Sequence, residues 1–116
     1  MAEGNIAERI NTLLKFYKVT PRVLGKMFGV SESTIRRWTK GKGTSRVHRL
    51  NALDKLEKMM ERSCGSLKRD RAWEWFHANN ECLRGISPIE HIIKYSPQGF
   101  DQILDMLYSI TFGFPA

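Results

Sequence analysis

The chain has 116 residues, with 19 Lys and Arg against 12 Asp and Glu, and only two cysteines. That length holds one domain or two very small ones, the formal charge of +7 favours polyanionic partners, and two cysteines do not staple a secreted scaffold of this size. No apolar run is long enough for a membrane span, and the opening MAEGNIAERINTLL is amphipathic rather than a charged-then-apolar leader, so reduced thiols, a cytoplasmic location and no membrane partner are expected.

Apolar spacing is helical almost throughout and no strand-like alternation of useful length occurs, which predicts an all-α fold of four helices followed by three. Ile6, Ile10, Leu13, Leu14 and Tyr17 mark the first helix. The stretch TPRVLGKMFGVSESTIRRWTKGK then supplies two caps close together. Thr20 precedes Pro21 at a first helical position, and Ser31 can cap a second helix running through SESTIRRWTK. Gly25 is small where the helices cross, and Gly29 can take the positive φ that ends the first of the pair. Leu24, Phe28, Val30, Ile35 and Trp38 provide a shared core. Together these features predict a helix-turn-helix. After the GKGTS break, Val47, Leu50, Leu53, Leu56 and Met60 mark a fourth helix. Thr44 or Ser45 caps it, and Ser63-Cys64-Gly65-Ser66 ends it near Arg62. That small polar tetrad places a domain boundary after residue 66, separating 1–66 from 67–116.

Charge separates the same two halves. Residues 9–49 hold eleven basic residues against the single acid Glu32, whereas residues 72–116 hold Arg84 and Lys94 against Glu74, Glu81, Glu90, Asp101 and Asp105. A basic field over a helix-turn-helix predicts double-stranded DNA as partner, with the second helix of the motif in the major groove. Ser31, Glu32, Ser33, Thr34, Arg36 and Arg37 are then at or near base edges. Arg37 is the best base reader, since a guanidinium donates two bonds to guanine. Arg36 suits a base or a phosphate equally, and Glu32 either accepts from cytosine or steers Arg36. Arg22, Lys40, Lys42 and Arg46 border this surface as phosphate clamps. One reader helix covers few base pairs, so a homodimer on two half-sites is expected. For each of these cations plain solvation is the competing explanation.

Beyond residue 66, a helix is predicted over 68–78 with Trp73 and Phe76 three apart. Trp73 and Trp75 diverge by about 200° on a helix, so one of them is expected to be exposed or to meet another chain. Ser87-Pro88-Ile89-Glu90 forms a capping box with proline at the first helical position, and Ser96-Pro97 opens a last helix holding Phe100, Ile103, Leu104, Leu107 and Tyr108. A tail over 111–116 follows it, carrying Phe112 and Phe114 and ending at the Ala116 carboxylate. No catalytic residues are assigned. His48, His77 and His91 fall on separate predicted helices, Cys64, His77 and Cys82 lack a fourth ligand at zinc spacing, and no phosphate loop or nucleophile elbow occurs. Neither an enzyme, a metal site nor a cofactor is expected.

Residues 73–116 resemble the toxin-binding domain of bacterial Xre/MbcA/ParS-type antitoxins. The resemblance is carried by Trp73 and Phe76, Asn80, Leu83, Gly85, Ser87-Pro88-Ile89-Glu90, Ile103-Leu104-Asp105-Met106-Leu107, and the tail Gly113-Phe114-Pro115-Ala116. Glu81 departs from it, standing where that family often has proline. Residues 6–58 separately resemble the Xre class of helix-turn-helix proteins. The two resemblances imply a repressor that binds its own operator as a dimer and neutralises a cognate toxin, commonly a RES-domain enzyme acting on NAD. They imply toxin contacts at Trp75, Leu83, Gly85, Ser87, Pro88, Phe112, Phe114 and Ala116. Two alternatives stand beside this: a stand-alone phage or mobile-element repressor whose C-terminal half only dimerises or meets another protein, and an adaptor that no longer binds DNA.

Overall fold

A computed structural model describes residues 5–43, 51–67 and 71–112 of the chain. The described residues form seven α-helices and one short 3₁₀ turn, with no strand among them. The helices are α1 (Ile6–Tyr17), α2 (Pro21–Phe28), α3 (Glu32–Thr39), α4 (Asn51–Ser66), α5 (Ala72–His77), α6 (Pro88–Tyr95) and α7 (Gln98–Phe112), and the 3₁₀ turn is Glu81–Leu83. The all-α expectation is met. The chain divides into two compact units, residues 1–54 and 55–116, so the division falls inside α4, twelve residues before the expected boundary.

In the first unit α3 packs on α2 and on α1. Ile6, Ile10, Leu13 and Tyr17 of α1, Leu24, Met27 and Phe28 of α2, and Ile35 and Trp38 of α3 are buried. This differs from the expected core at two places. Met27 is fully buried, whereas Val30 and Leu14 are only half-buried. Val30 sits in the turn, where its backbone N–H bonds the Gly25 carbonyl at 2.8 Å, and its side chain is left at the edge. Asn11 Nδ2 donates to Thr39 O at 3.2 Å, tying α1 to the end of α3.

α4 runs past its expected end near Arg62, and Ser63–Ser66 continues it instead of ending it. Small polar residues compete with helix only when their side chains find backbone elsewhere. Here the Ser63 hydroxyl donates back to Met60 O at 2.9 Å and is wholly buried, so it stays within the helix. The buried stripe is Leu53, Leu56, Met59 and Ser63, with Met59 in the place expected for Met60. The expected start of this helix, with Thr44 or Ser45 as cap, lies outside the described residues, as do Arg46 and His48.

In the second unit α6 packs on α7 and on α5. Phe76, Leu83, Ile89, Ile92, Phe100, Ile103, Leu104 and Leu107 are buried. Gly99 lets α7 approach α6: a Cβ there would stand 2.9 Å from the His91 carbonyl oxygen. Lys55 Nζ pairs with Asp101 at 2.8 Å, and Arg62 Nη1 donates to Leu104 O at 3.3 Å, which holds this part of α4 along α7. The last helix also runs further than expected. Thr111 and Phe112 belong to α7 and not to a tail, because nothing breaks the helical pattern before Gly113. Phe114 and Ala116 lie outside the described residues.

Candidate functional site

The turn between α2 and α3 is built by the residues that predicted it. Thr20 accepts from the Val23 N–H at 3.2 Å, with Pro21 at the first helical position. Gly29 ends α2 at φ 81°, its N–H bonded to Gly25 O at 2.8 Å. Gly25 faces the turn so closely that a Cβ would lie 2.7 Å from the Val30 carbonyl oxygen. Ser31 accepts from the Thr34 N–H at 3.2 Å. Phe28 and Trp38 meet edge to face at 5.7 Å, and the Trp38 indole N–H donates to Gly43 O at 2.8 Å, fixing the chain just after α3.

With Ile35 and Trp38 turned inward, about 100° per residue places Ser33, Arg36, Arg37 and Lys40 together on the opposite side of α3. All four are exposed, as are Arg22 of α2 and Lys42. An exposed helix face bearing three cations and a hydroxyl, backed by a packed core, can lie against a polyanion. Two residues differ in character from that face. Ser31 and Thr34 bond each other, with the two hydroxyl oxygens 2.9 Å apart, so both serve the cap and Thr34 is half-buried. Glu32 accepts from Arg36 Nε at 3.0 Å and Nη2 at 2.6 Å, which neutralises Arg36 in the free protein. Arg37 lies folded over the turn that follows α3. A side chain at position 43 would run into its guanidinium, so Gly43, at φ 63°, leaves the space that Arg37 occupies.

In the second unit the segment 80–87 is a compact loop centred on Asn80. The Asn80 side chain accepts from the Cys82 N–H at 2.9 Å, its carbonyl accepts from Leu83 at 2.9 Å and Gly85 at 3.0 Å, and its N–H donates to Ile86 O at 3.0 Å. Arg84 and Gly85 both take positive φ, 62° and 87°, to close this loop. The capping box then starts α6: the Ser87 hydroxyl accepts from the Glu90 N–H, and the Glu90 carboxylate from the Ser87 N–H, each at 3.1 Å.

The residues expected to touch a partner are divided by this arrangement. Leu83, Ser87 and Pro88 are buried within their own unit, where they anchor the loop and start α6. Gly85 is exposed and Trp75 half-buried, with Trp75 edge to face on Phe76 at 5.0 Å. Trp73 is half-buried as well, against His77 at 5.9 Å, so neither tryptophan is fully exposed.

One feature was missed from sequence. A cavity of about 560 Å³ opens between the 3₁₀ turn, α6 and α7, with Arg84, His91, Tyr95, Gln98, Gln102 and Met106 among its walls. His91 and Tyr95 on α6, and Gln98, Gln102 and Met106 on α7, recur every four residues, but nothing local in the sequence shows that the two rows meet.

No family model matches the chain, and no curated protein matches it. Its fold is similar to that of a chain in the crystal structure of the M. tuberculosis MbcT–MbcA toxin–antitoxin complex. The TM-score is 0.69 at 20% identity, covering 95% of this chain and 96% of that one.

Proposed function

We propose that this chain is the antitoxin of a type II toxin–antitoxin pair: it neutralises a cognate toxin by direct binding and represses its own operon by binding operator DNA. The observation that carries this reading is the fold likeness, along nearly the whole chain, to a component of a toxin–antitoxin complex. A toxin that acts on NAD, of the RES class, is the partner implied by the sequence resemblance of residues 73–116. The first unit supplies the DNA-binding surface. Ser33, Arg36, Arg37 and Lys40 face the major groove, with Arg37 leaving Gly43 to reach a base, and Arg22, Lys42 and Arg46 hold phosphates. Two copies bind two half-sites about 34 Å apart. The second unit contacts the toxin through the surface around Trp75 and Gly85 and through Phe112 to Ala116.

The test is co-expression with the product of the adjacent reading frame. The chain is expected to restore growth, to co-purify with that product, and to retard a promoter fragment of its own operon at low salt. Growth arrest that persists despite equal expression of both proteins would overturn the antitoxin assignment. Retardation of the promoter with no rescue would favour a stand-alone repressor.

A further inference from the structure

The cavity of the second unit has a charge character opposite to that of the chain around it. Residues 72–116 carry five acids and two bases, yet among the described residues none that lines the cavity is acidic. One of the two bases lines it, and the other stands beside a lining residue. Arg84 is part of the wall, and the Lys94 ammonium lies 5.6 Å over the ring of Tyr95, which is part of it too. Of the acids nearby, Glu90 completes the capping box and Asp101 pairs with Lys55, while Glu81 and Asp105 are exposed beside the lining residues Cys82 and Met106. Among the described residues Arg84 has no carboxylate partner.

The cavity offers amide donors beside the Arg84 guanidinium. His91, 8% exposed, meets the Gln102 side-chain oxygen through Nε2. A carbonyl oxygen only accepts, so Nε2 carries the hydrogen and the Gln102 amide hydrogens remain available. In that tautomer Nδ1, buried and without a partner among the described residues, is an acceptor. Gln98 adds a second amide. The apolar part of the wall is Leu83, Met106 and the ring of Tyr95, which stays 41% exposed and sits 4.8 Å from the His91 ring. An apolar floor under a rim with the Arg84 guanidinium and amide donors suits an apolar group that carries, or lies beside, a carboxylate.

Arg84, Tyr95, Gln98 and Gln102 are all exposed, and no charged side chain is buried in the cavity. A free small molecule is usually enclosed by its site, whereas a segment of another protein brings its own cover. We infer that this cavity anchors the protein partner of the second unit by taking an aromatic or branched apolar side chain flanked by an Asp or Glu. The occupant rests on the antitoxin reading; the chemical preference of the cavity does not.

Cys82, exposed and at the cavity wall, allows the preference to be measured without the partner. In a Cys64→Ala chain it is the one remaining thiol. Disulfide-forming probes bearing a benzyl group with a carboxylate, a benzyl group with an ammonium, or a bare ethyl chain are equilibrated against 2-mercaptoethanol and quantified by mass spectrometry. The benzyl carboxylate should withstand about tenfold more reductant than the benzyl ammonium, and Arg84→Gln should remove most of that margin. Equal retention of the three probes overturns the proposal.

The second arm uses the full chain with the adjacent gene product. Met106→Arg, which fills the cavity, should raise Kd by about 30-fold or more, as loss of an anchor pocket does, and Arg84→Glu by about tenfold. Lys58→Glu, on the exposed side of α4, should change it less than about twofold. Gln98→Trp replaces Met106→Arg if circular dichroism shows that variant unfolded. Wild-type binding with all cavity variants within twofold overturns the site while leaving the antitoxin reading intact. Absence of wild-type binding overturns that reading, and the probe series then decides the cavity's chemistry alone.

Discussion

Each unit has a glycine that lets one element press on another, but only one of the two was visible in the sequence. Gly25 faces the carbonyl of Val30 and Gly99 that of His91, at hypothetical Cβ distances of 2.7 Å and 2.9 Å. The first contact spans five residues and lies inside a turn with two flanking caps, so local pattern reveals it. The second spans eight residues and depends on α6 and α7 having already paired. The first unit is thus specified by near neighbours in the chain, and the second by contacts that form only once its helices are assembled. The surfaces proposed for recognition follow the same division: one exposed helix face, against a cavity shared by a turn and two helices.

The largest expected effects break the two units separately. Trp38 is 3% exposed, donates to Gly43 O and packs on Phe28, so Trp38→Ala should cost about 3–5 kcal/mol, the range for a large aromatic removed from a core. Phe76, wholly buried, should cost a similar amount on replacement by Ala. Trp38→Ala should abolish promoter retardation while toxin capture survives, and Phe76→Ala should do the reverse. Band-shift and pull-down assays on both variants decide this; loss of both activities in either variant means that the two units do not work independently.

Next in size is the distinction between reading and clamping. Arg37→Ala should lose about 1–3 kcal/mol of discrimination between operator and scrambled DNA, the value of a good bidentate base contact. Lys42→Ala should weaken both DNAs alike and lower the salt slope by about 0.9, one phosphate's share. Competition titrations at several salt concentrations separate the two. An Arg37→Ala protein with unchanged operator preference removes Arg37 from the base-reading set.

Caps offer a smaller and matched comparison. Ser31→Ala and Ser87→Ala each remove a helix N-cap and should cost about 1 kcal/mol in chemical denaturation. Ser87→Ala should cost the more, because it strips the acceptor from the Glu90 N–H at a site only 5% exposed, whereas Ser31 is exposed. Equal values would mean that burial of the Ser87 cap adds nothing to its worth.

Much of this was legible in the sequence, for identifiable reasons. Thr20, Gly25, Gly29, Ser31, Ser87 and Glu90 act within five residues of themselves, and all were assigned from local chemistry. The residues that escaped act at longer range or depend on surroundings. Ser63 was read as a breaker, yet burial and its bond to Met60 O keep it helical. Met27 and Val30 exchange expected places because the turn sets which of them meets the core. Leu83 and Pro88 were assigned to a partner surface, but the loop around Asn80 and the start of α6 bury both. Arg84 and Gln102 carried no local signal, since a donor-lined cavity is a property of three elements together.

The smallest effect on stability carries the sharpest question about the first unit. Glu32 and Arg36 are four apart on α3 with side chains 41% and 61% exposed, so their ion pair contributes no more than about 0.5 kcal/mol, and Glu32→Ala should barely move the unfolding midpoint. On DNA the two roles of Glu32 predict different outcomes. If Glu32 restrains Arg36, the substitution frees a guanidinium for phosphate: affinity for all sequences rises, and the salt slope steepens by about 0.9. If Glu32 instead accepts from a cytosine N4 amine while Arg36 orients it, the salt slope stays within about 0.9 of its original value and preference falls at one base pair, by about 1–3 kcal/mol. The geometry favours restraint, because both Arg36 nitrogens bond the same carboxylate oxygen, leaving Glu32 held to its own helix in the free protein. We therefore expect Glu32→Ala to bind scrambled DNA more tightly at low salt and to lose that gain as salt rises. A variant with unchanged affinity for scrambled DNA and a relaxed cytosine preference would make Glu32 a base reader, and would bring the acid that interrupts the basic face into the recognition code itself.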